Sequence, residues 1–363
     1  MARPPINLLF PSGVSRRLGN RDGATGRREY SSPWAWNVRL EDEITNRLRG
    51  GSFAGIEAAA RPSSIVYRGR TLTFSGRAVT ASRVGDSTDT SLASDVSDML
   101  RATLFQFSEA ETQGSSVVAL VPNEDRYLLG FTSGETWVQQ GDPLSGPRQQ
   151  VSDEVGIIGA DAWCVAEDTV YFLSSHGLYS VGINGGGLKA LSEDVLPEDL
   201  TSVSDTACTL TYQHSDRGVY IHKTGTDWFY DTAREQFWPF DNTDTDSHLL
   251  IGPIKLGQAD RMGLVQTLTG IVAQGSDEVA WRIVPGESAE EAAANGKLAI
   301  VAALAGTSYA DYVKACGLWE AGRSQTARPR VSAMWVVVWL ESAGDWSYEG
   351  VTMGIEPTGM WRK

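Results

Sequence analysis

The feature that most constrains this chain is a recurring pair of short apolar strands around a tight turn. Five segments share the shape: Arg70–Val79, Arg126–Val138, Thr169–Val181, Gly218–Tyr230 and Arg261–Val272. Each carries a glycine at the expected turn (Gly76, Gly134, Gly177, Gly225 and Gly270), where a positive φ is often required. The glycines lie 58, 43, 48 and 45 residues apart. A hairpin repeated every ~40–50 residues is the signature of propeller blades. Blades bury both faces against their neighbours, which accounts for near-continuous apolar strands. An upstream strand feeds most hairpins, at 63–67, 117–121, 162–166, 208–213 and 248–254. The expected fold is all-β: a β-propeller with an extended N-terminal arm and small helical insertions.

The expected organisation is an extended basic arm over 1–60 and a β-propeller body over 61–363, with insertions near 86–111 and 285–330. Within the first insertion, Leu92 to Phe107 is amphipathic and predicts a short helix. In the second, Glu287 to Asn295 is acidic and alanine-rich and predicts a helix or an excursion. The last strong strands, 333–340 and 346–355, are joined by a turn at 342–345. They are expected to close the ring by pairing with an early strand.

Charge divides the chain the same way. The net charge is −14, yet residues 1–50 hold nine arginines against five acids, which leaves −18 for the remainder. The first fifty residues are rich in Arg, Gly, Pro and Ser and bury too little apolar surface to fold alone. Trp34 and Trp36 imply that the segment docks on its own body or on a neighbour. An acidic body repels nucleic acid, and a basic arm attracts an acidic partner. No run approaches the roughly 18 apolar residues of a spanning helix, and the opening residues have no apolar signal core. The expectation is therefore synthesis and folding in a cytoplasm, without membrane contact. Three well-separated cysteines, Cys164, Cys208 and Cys316, predict buried reduced thiols rather than disulfides or a zinc site.

Residue patterns that carry chemistry are sparse. His176, His214, His222 and His248 lie in or beside expected strands, and His214 and His222 flank one hairpin without a third metal ligand of matching spacing. Asp241 to Asp246 has three acids in six residues but lacks the calcium-loop spacing, so a solvated acidic loop is expected. Gly182 to Lys189 is glycine-rich but departs from the phosphate-loop pattern and follows a hairpin, which predicts an inter-blade turn. Gly134-Glu-Thr-Trp137 matches half of the Asp-box turn of propeller sialidases, but Thr132 stands where the defining carboxylate belongs. No nucleophile elbow and no singled-out carboxylate pair appears. The expectation is a non-enzyme with no cofactor, no metal and no catalytic residues. The twelve tryptophans are expected mainly in packing, with glycan stacking open to exposed ones.

Several segments together resemble the nozzle (tail-tube B-like, packaged-DNA-stabilising) proteins of short-tailed bacteriophages. They are Leu9–Leu18 and Tyr30–Arg39, then Arg47-Leu-Arg-Gly-Gly51, Val66–Thr73 and Val79–Asp86. Further along come Leu129–Trp137, Val170–Tyr179 and Trp228–Pro239. The resemblance covers nearly the whole chain, although many such nozzles are longer. It implies a structural virion protein of the tail, assembled in the host cytoplasm into a ring, by expectation a homohexamer. That ring would sit below the portal and adaptor rings and above tip, needle or fibre proteins, and phage double-stranded DNA would pass through its lumen without sequence-specific binding. An acidic lumen wall would let DNA slide during genome ejection. Arg16, Arg17, Trp34, Trp36, Arg47 and Arg49 are the candidate assembly-interface residues. The alternative is a peripheral tail propeller that binds or cleaves host glycans.

Overall fold

The computed structural model describes residues 64–92, 95–107, 115–193, 195, 200, 203–240, 246–257, 261–322 and 324–361, with the strands of the first fifty residues. The chain divides into two compact units, Ile56–Glu235 on one hand and Met1–Gly55 with Gln236–Lys363 on the other.

Residues 65–240 form four antiparallel four-stranded meanders. The first is Ile65–Tyr67, Arg70–Ser75, Ala78–Ala81 and Thr103–Phe105. The second is Ala119–Asn123, Tyr127–Phe131, Thr136–Gln140 and Arg148–Ser152. The third is Trp163–Ala166, Thr169–Ser174, Gly177–Val181 and Leu188–Ala190. The fourth is Thr209–Gln213, Gly218–His222, Asp227–Asp231 and Gln236–Phe240. Inner strands such as Tyr127–Phe131 are buried throughout, as sheets covered on both faces require. Tyr67, Leu72, Val79, Phe105 and Phe107 pack with Val117, Leu120 and Leu128 in one core cluster spanning the first two sheets.

The other unit is built differently. A five-stranded sheet runs in the order Ala315–Trp319, Val279–Gly286, Trp335–Ser342, Ser247–Lys255, Ala35–Trp36. A seven-stranded sheet has the path Ser324–Ala327, Arg261–Val272, Trp346–Trp361, Arg47–Gly50, Val38–Asp42. Ile6–Leu8 pairs with Val351–Met353, and Val331–Ala333 with Gly263–Val265. The helix Ala289–Leu304 packs Ala292, Ala299 and Ile300 on Leu250, Val284, Val337 and Trp339. Ser288 caps it by accepting from Glu291 N–H, while the Glu291 carboxylate reaches back to Glu287 N–H.

The all-β expectation holds, but the β-propeller does not. Among the described residues no sheet closes into a barrel or propeller. The repeat ends where its fifth hairpin was expected: Arg261–Val272 is one uninterrupted strand. Gly270 serves packing rather than a turn, because a Cβ there would lie 2.5 Å from the Trp319 ring. Strands 335–342 and 346–361 enter different sheets instead of forming a hairpin, and the last strand does meet early residues, 6–8 and 47–50.

The helix expected between Leu92 and Phe107 is absent among the described residues there; turns lead into the strand Thr103–Phe105. Asp86, Asp89, Asp95 and Asp98 accept from the backbone N–H groups of Thr88, Ser91, Ser97 and Leu100. These local bonds compete with the helical ladder. The glycine-rich stretch 182–187 is the turn between two strands of the third sheet, not a link between repeats.

Candidate functional site

The opening turns of the four meanders share a polar pattern. Each contains a non-glycine residue at positive φ: Arg68 (50°), Glu124 (48°), Glu167 and Asp168 (46° and 71°), and Arg217 (49°). Arg68-Gly69 and Glu167-Asp168 are two-residue loops with both φ values positive, the type I′ geometry that matches strand twist. Left-handed backbone at a residue with a Cβ costs about 1–2 kcal/mol, so its recurrence at equivalent turns marks a maintained arrangement.

Successive turns are fastened to each other. Arg68 donates its N–H to the Asp125 carboxylate at 2.8 Å and its Nε–H to the Asp125 carbonyl at 2.9 Å. Arg126 pairs with Asp168 at 2.5 Å. Beneath that pair, fully buried Asn123 donates to the Asp168 carbonyl and to the Tyr127 hydroxyl, each at 2.8 Å. Tyr127 in turn donates to the Gly182 carbonyl at 2.8 Å. Tyr212 donates to Glu167 at 3.2 Å, which links the third and fourth sheets.

The last of these links borders a polar cleft. Glu167, Thr169 and Tyr171 line it from the third sheet, Tyr212, Arg217 and Thr232 from the fourth, around a volume of about 370 Å³. Thr232 holds the Arg217 turn by donating both its N–H and its hydroxyl to the Arg217 carbonyl, at 3.1 and 2.7 Å. Burial, with smaller contributions from Cys164 and Tyr212, pushes the Tyr171 phenol up to about 12.

Of the candidate assembly residues, Arg16, Arg17 and Trp34 lie outside the described residues. Trp36 is on the strand paired with Ser247–Lys255, where it sits opposite His248. Arg47 and Arg49 are on the strand whose residues 48–50 pair with 346–348. Most of the Asp241–Asp246 loop also lies outside the described residues.

The histidines do not converge. His222 is opposite Thr209, at the far end of the hairpin from His214, and its Nδ1 is 3.0 Å from the Asp227 carboxylate. Buried His248 accepts from the Trp339 indole at 3.3 Å. Among the described residues no cluster of three or more His, Cys, Asp or Glu side chains could hold a metal. Cys164 and Cys208 are buried, but Cys316 is exposed, because alternate positions of the edge strand Ala315–Trp319 face solvent.

In Gly134–Trp137 the Thr132 hydroxyl accepts from the N–H groups of Gly134 and Glu135, at 3.3 and 2.9 Å, and so caps the turn without a charge. The nine tryptophans with described side chains are buried or half-buried.

The sequence matches no family model. No curated protein matches it. Among solved structures, two forms of the extracellular domain of a two-component or one-component system protein from B. thetaiotaomicron match. Their TM-scores are 0.34 and 0.33 at 11% identity, over 56% of this chain and 27% of theirs. PorZ, a bacterial surface component of the type-IX secretion system of Porphyromonas gingivalis, matches with TM-score 0.27 at 15% identity, over 51% of this chain and 23% of its own. The chain thus spans about a quarter of the length of these proteins.

Proposed function

We propose that this chain is a structural subunit of a short-tailed phage tail that assembles with copies of itself into a ring around the path of the DNA. The observation that carries the structural half is the fastened row of opening turns, Arg68 to Asp125, Arg126 to Asp168 and Tyr212 to Glu167. Each link joins one meander to the next, so the four sheets resist shear as a series. A protein that holds an assembly under stress needs such cross-links more than a reactive centre.

The phage half rests on the ordered resemblance of the segments quoted above. Three of them, 129–137, 170–179 and 228–239, fall on hairpins of the second, third and fourth sheets. The −18 charge of residues 51–363 supports a wall along which DNA slides, since phosphate contacts by Lys and Arg would retain it. The adaptor and portal above, and the tip proteins below, are the partners this reading proposes. Native mass spectrometry and negative-stain imaging of the purified chain test it by asking whether closed rings form.

A further inference from the structure

The geometry points to the cleft between Tyr171 and Arg217 as a binding site for a carboxylated pyranose, the acidic sugar unit of a surface glycan. The site does not depend on ring assembly, and its test fails or succeeds separately.

Two hydrogen-bond donors border it, the exposed Arg217 guanidinium and the half-buried Tyr171 hydroxyl. Among the described residues, neither the Arg217 guanidinium nor the Tyr171 hydroxyl has a hydrogen-bond or ion-pair partner, although both border the same cleft. A guanidinium and a phenol together match a carboxylate, the guanidinium by two parallel N–H donors. The Tyr171 phenol remains protonated at neutral pH, because its burial pushes it up to about 12.

The other walls suit a sugar ring. Thr169 supplies a hydroxyl beside Tyr171 on the same strand, and Tyr212 offers a ring that is only half-buried. Glu167 accepts from Tyr212 and has further lone pairs for sugar hydroxyls. Its negative charge also selects the ligand: a dianionic phosphate is repelled more strongly than a monoanionic carboxylate. The volume of about 370 Å³ lies within the range of small-ligand pockets and holds one pyranose with water. The left-handed backbone at Glu167 and Arg217 sets strained residues on both sides of the cleft. Such outliers cluster at ligand sites.

The test is saturation-transfer NMR and calorimetry on the full chain with glucuronic acid, glucose, acetate and inorganic phosphate. Glucuronic acid is expected to bind, with glucose and acetate at least about tenfold weaker, and R217Q and Y171F are each expected to weaken it by about tenfold. Y171F preserves the ring and shape if R217Q perturbs the turn, and unchanged melting curves verify the fold of both. Three results would overturn the site: no glucuronic acid binding at millimolar concentration, equal binding by wild type and both variants, or phosphate and acetate binding as tightly as the sugar acid.

Discussion

The guanidinium of Arg70 is fully buried and lies 3.1 Å from the Asp142 carboxylate, 72 residues away in sequence. The same side chain donates to the carbonyls of Ser82, Met99 and Arg101. One cation therefore joins the first meander, the 82–101 loop and the second meander. Asp142 keeps 31% of its side chain exposed, so solvent screens part of that charge when Arg70 is removed. The loss of the carbonyl partners remains. R70M is expected to lower the unfolding free energy by about 3 kcal/mol in urea titrations. A loss below about 1 kcal/mol would mean that the loop finds other donors.

Gly130 sets a steric limit of a different kind. A Cβ at this strand position would lie 2.2 Å from the Phe107 ring, which is buried. G130A is expected to destabilise by about 1–3 kcal/mol through overpacking, and F107L in the same chain should recover much of that loss. Additive losses in the double variant would contradict the proposed clash.

Alkaline pH should weaken the fold. Burial, then the nearby Asp205 charge, pushes the Cys208 thiol from 9.0 up to about 12. Burial likewise raises Tyr171 from 10.0 to about 12, and Tyr230 is raised in the same direction. In each case the folded chain keeps a proton that the unfolded chain releases. Stability is therefore intact below pH 9 and falls as the pH rises through 9 to 12. Each such group adds a slope of about 1.4 kcal/mol per pH unit within its own window. C208A should remove the earliest part of that decline in denaturation curves recorded from pH 8 to 11, and an unchanged curve would refute the assignment.

These residues also show what the sequence made legible. The first four hairpins are visible because near-continuous apolar strands flank turn residues, and Gly76, Gly177 and Gly225 do adopt positive φ. Gly134 does not, since Thr132 caps its turn instead. Gly270 misleads because glycine answers two needs: left-handed backbone and close approach of a ring such as Trp319. A period count cannot separate them, so the expected repeat ran one hairpin past the fourth sheet. The cleft was invisible for another reason. Tyr171 and Arg217 are 46 positions apart in sequence and belong to no motif; only the packing of the third sheet against the fourth brings them together. A signal was present in the charged turns, where Glu167 and Arg217 stand at positions that usually favour Gly or Asn.

The N-terminal strands should protect the sheets they join. Ile6–Leu8 and Leu48–Gly50 pair along residues 346–353, and Ala35–Trp36 along His248–Leu249. Deleting residues 1–50 exposes those edges. Hydrogen exchange should rise at 346–353 and 248–249 while the strands of 65–231 keep their protection. Unchanged exchange at 346–353 would show that these pairings contribute nothing to stability.

Ring assembly is read most directly from the mass and shape of the purified chain by native mass spectrometry with negative-stain imaging. The expected result is a closed ring, six copies by the resemblance, with a central channel wide enough for duplex DNA. A chain that stays monomeric across its soluble concentration range, or forms only open dimers, would contradict it.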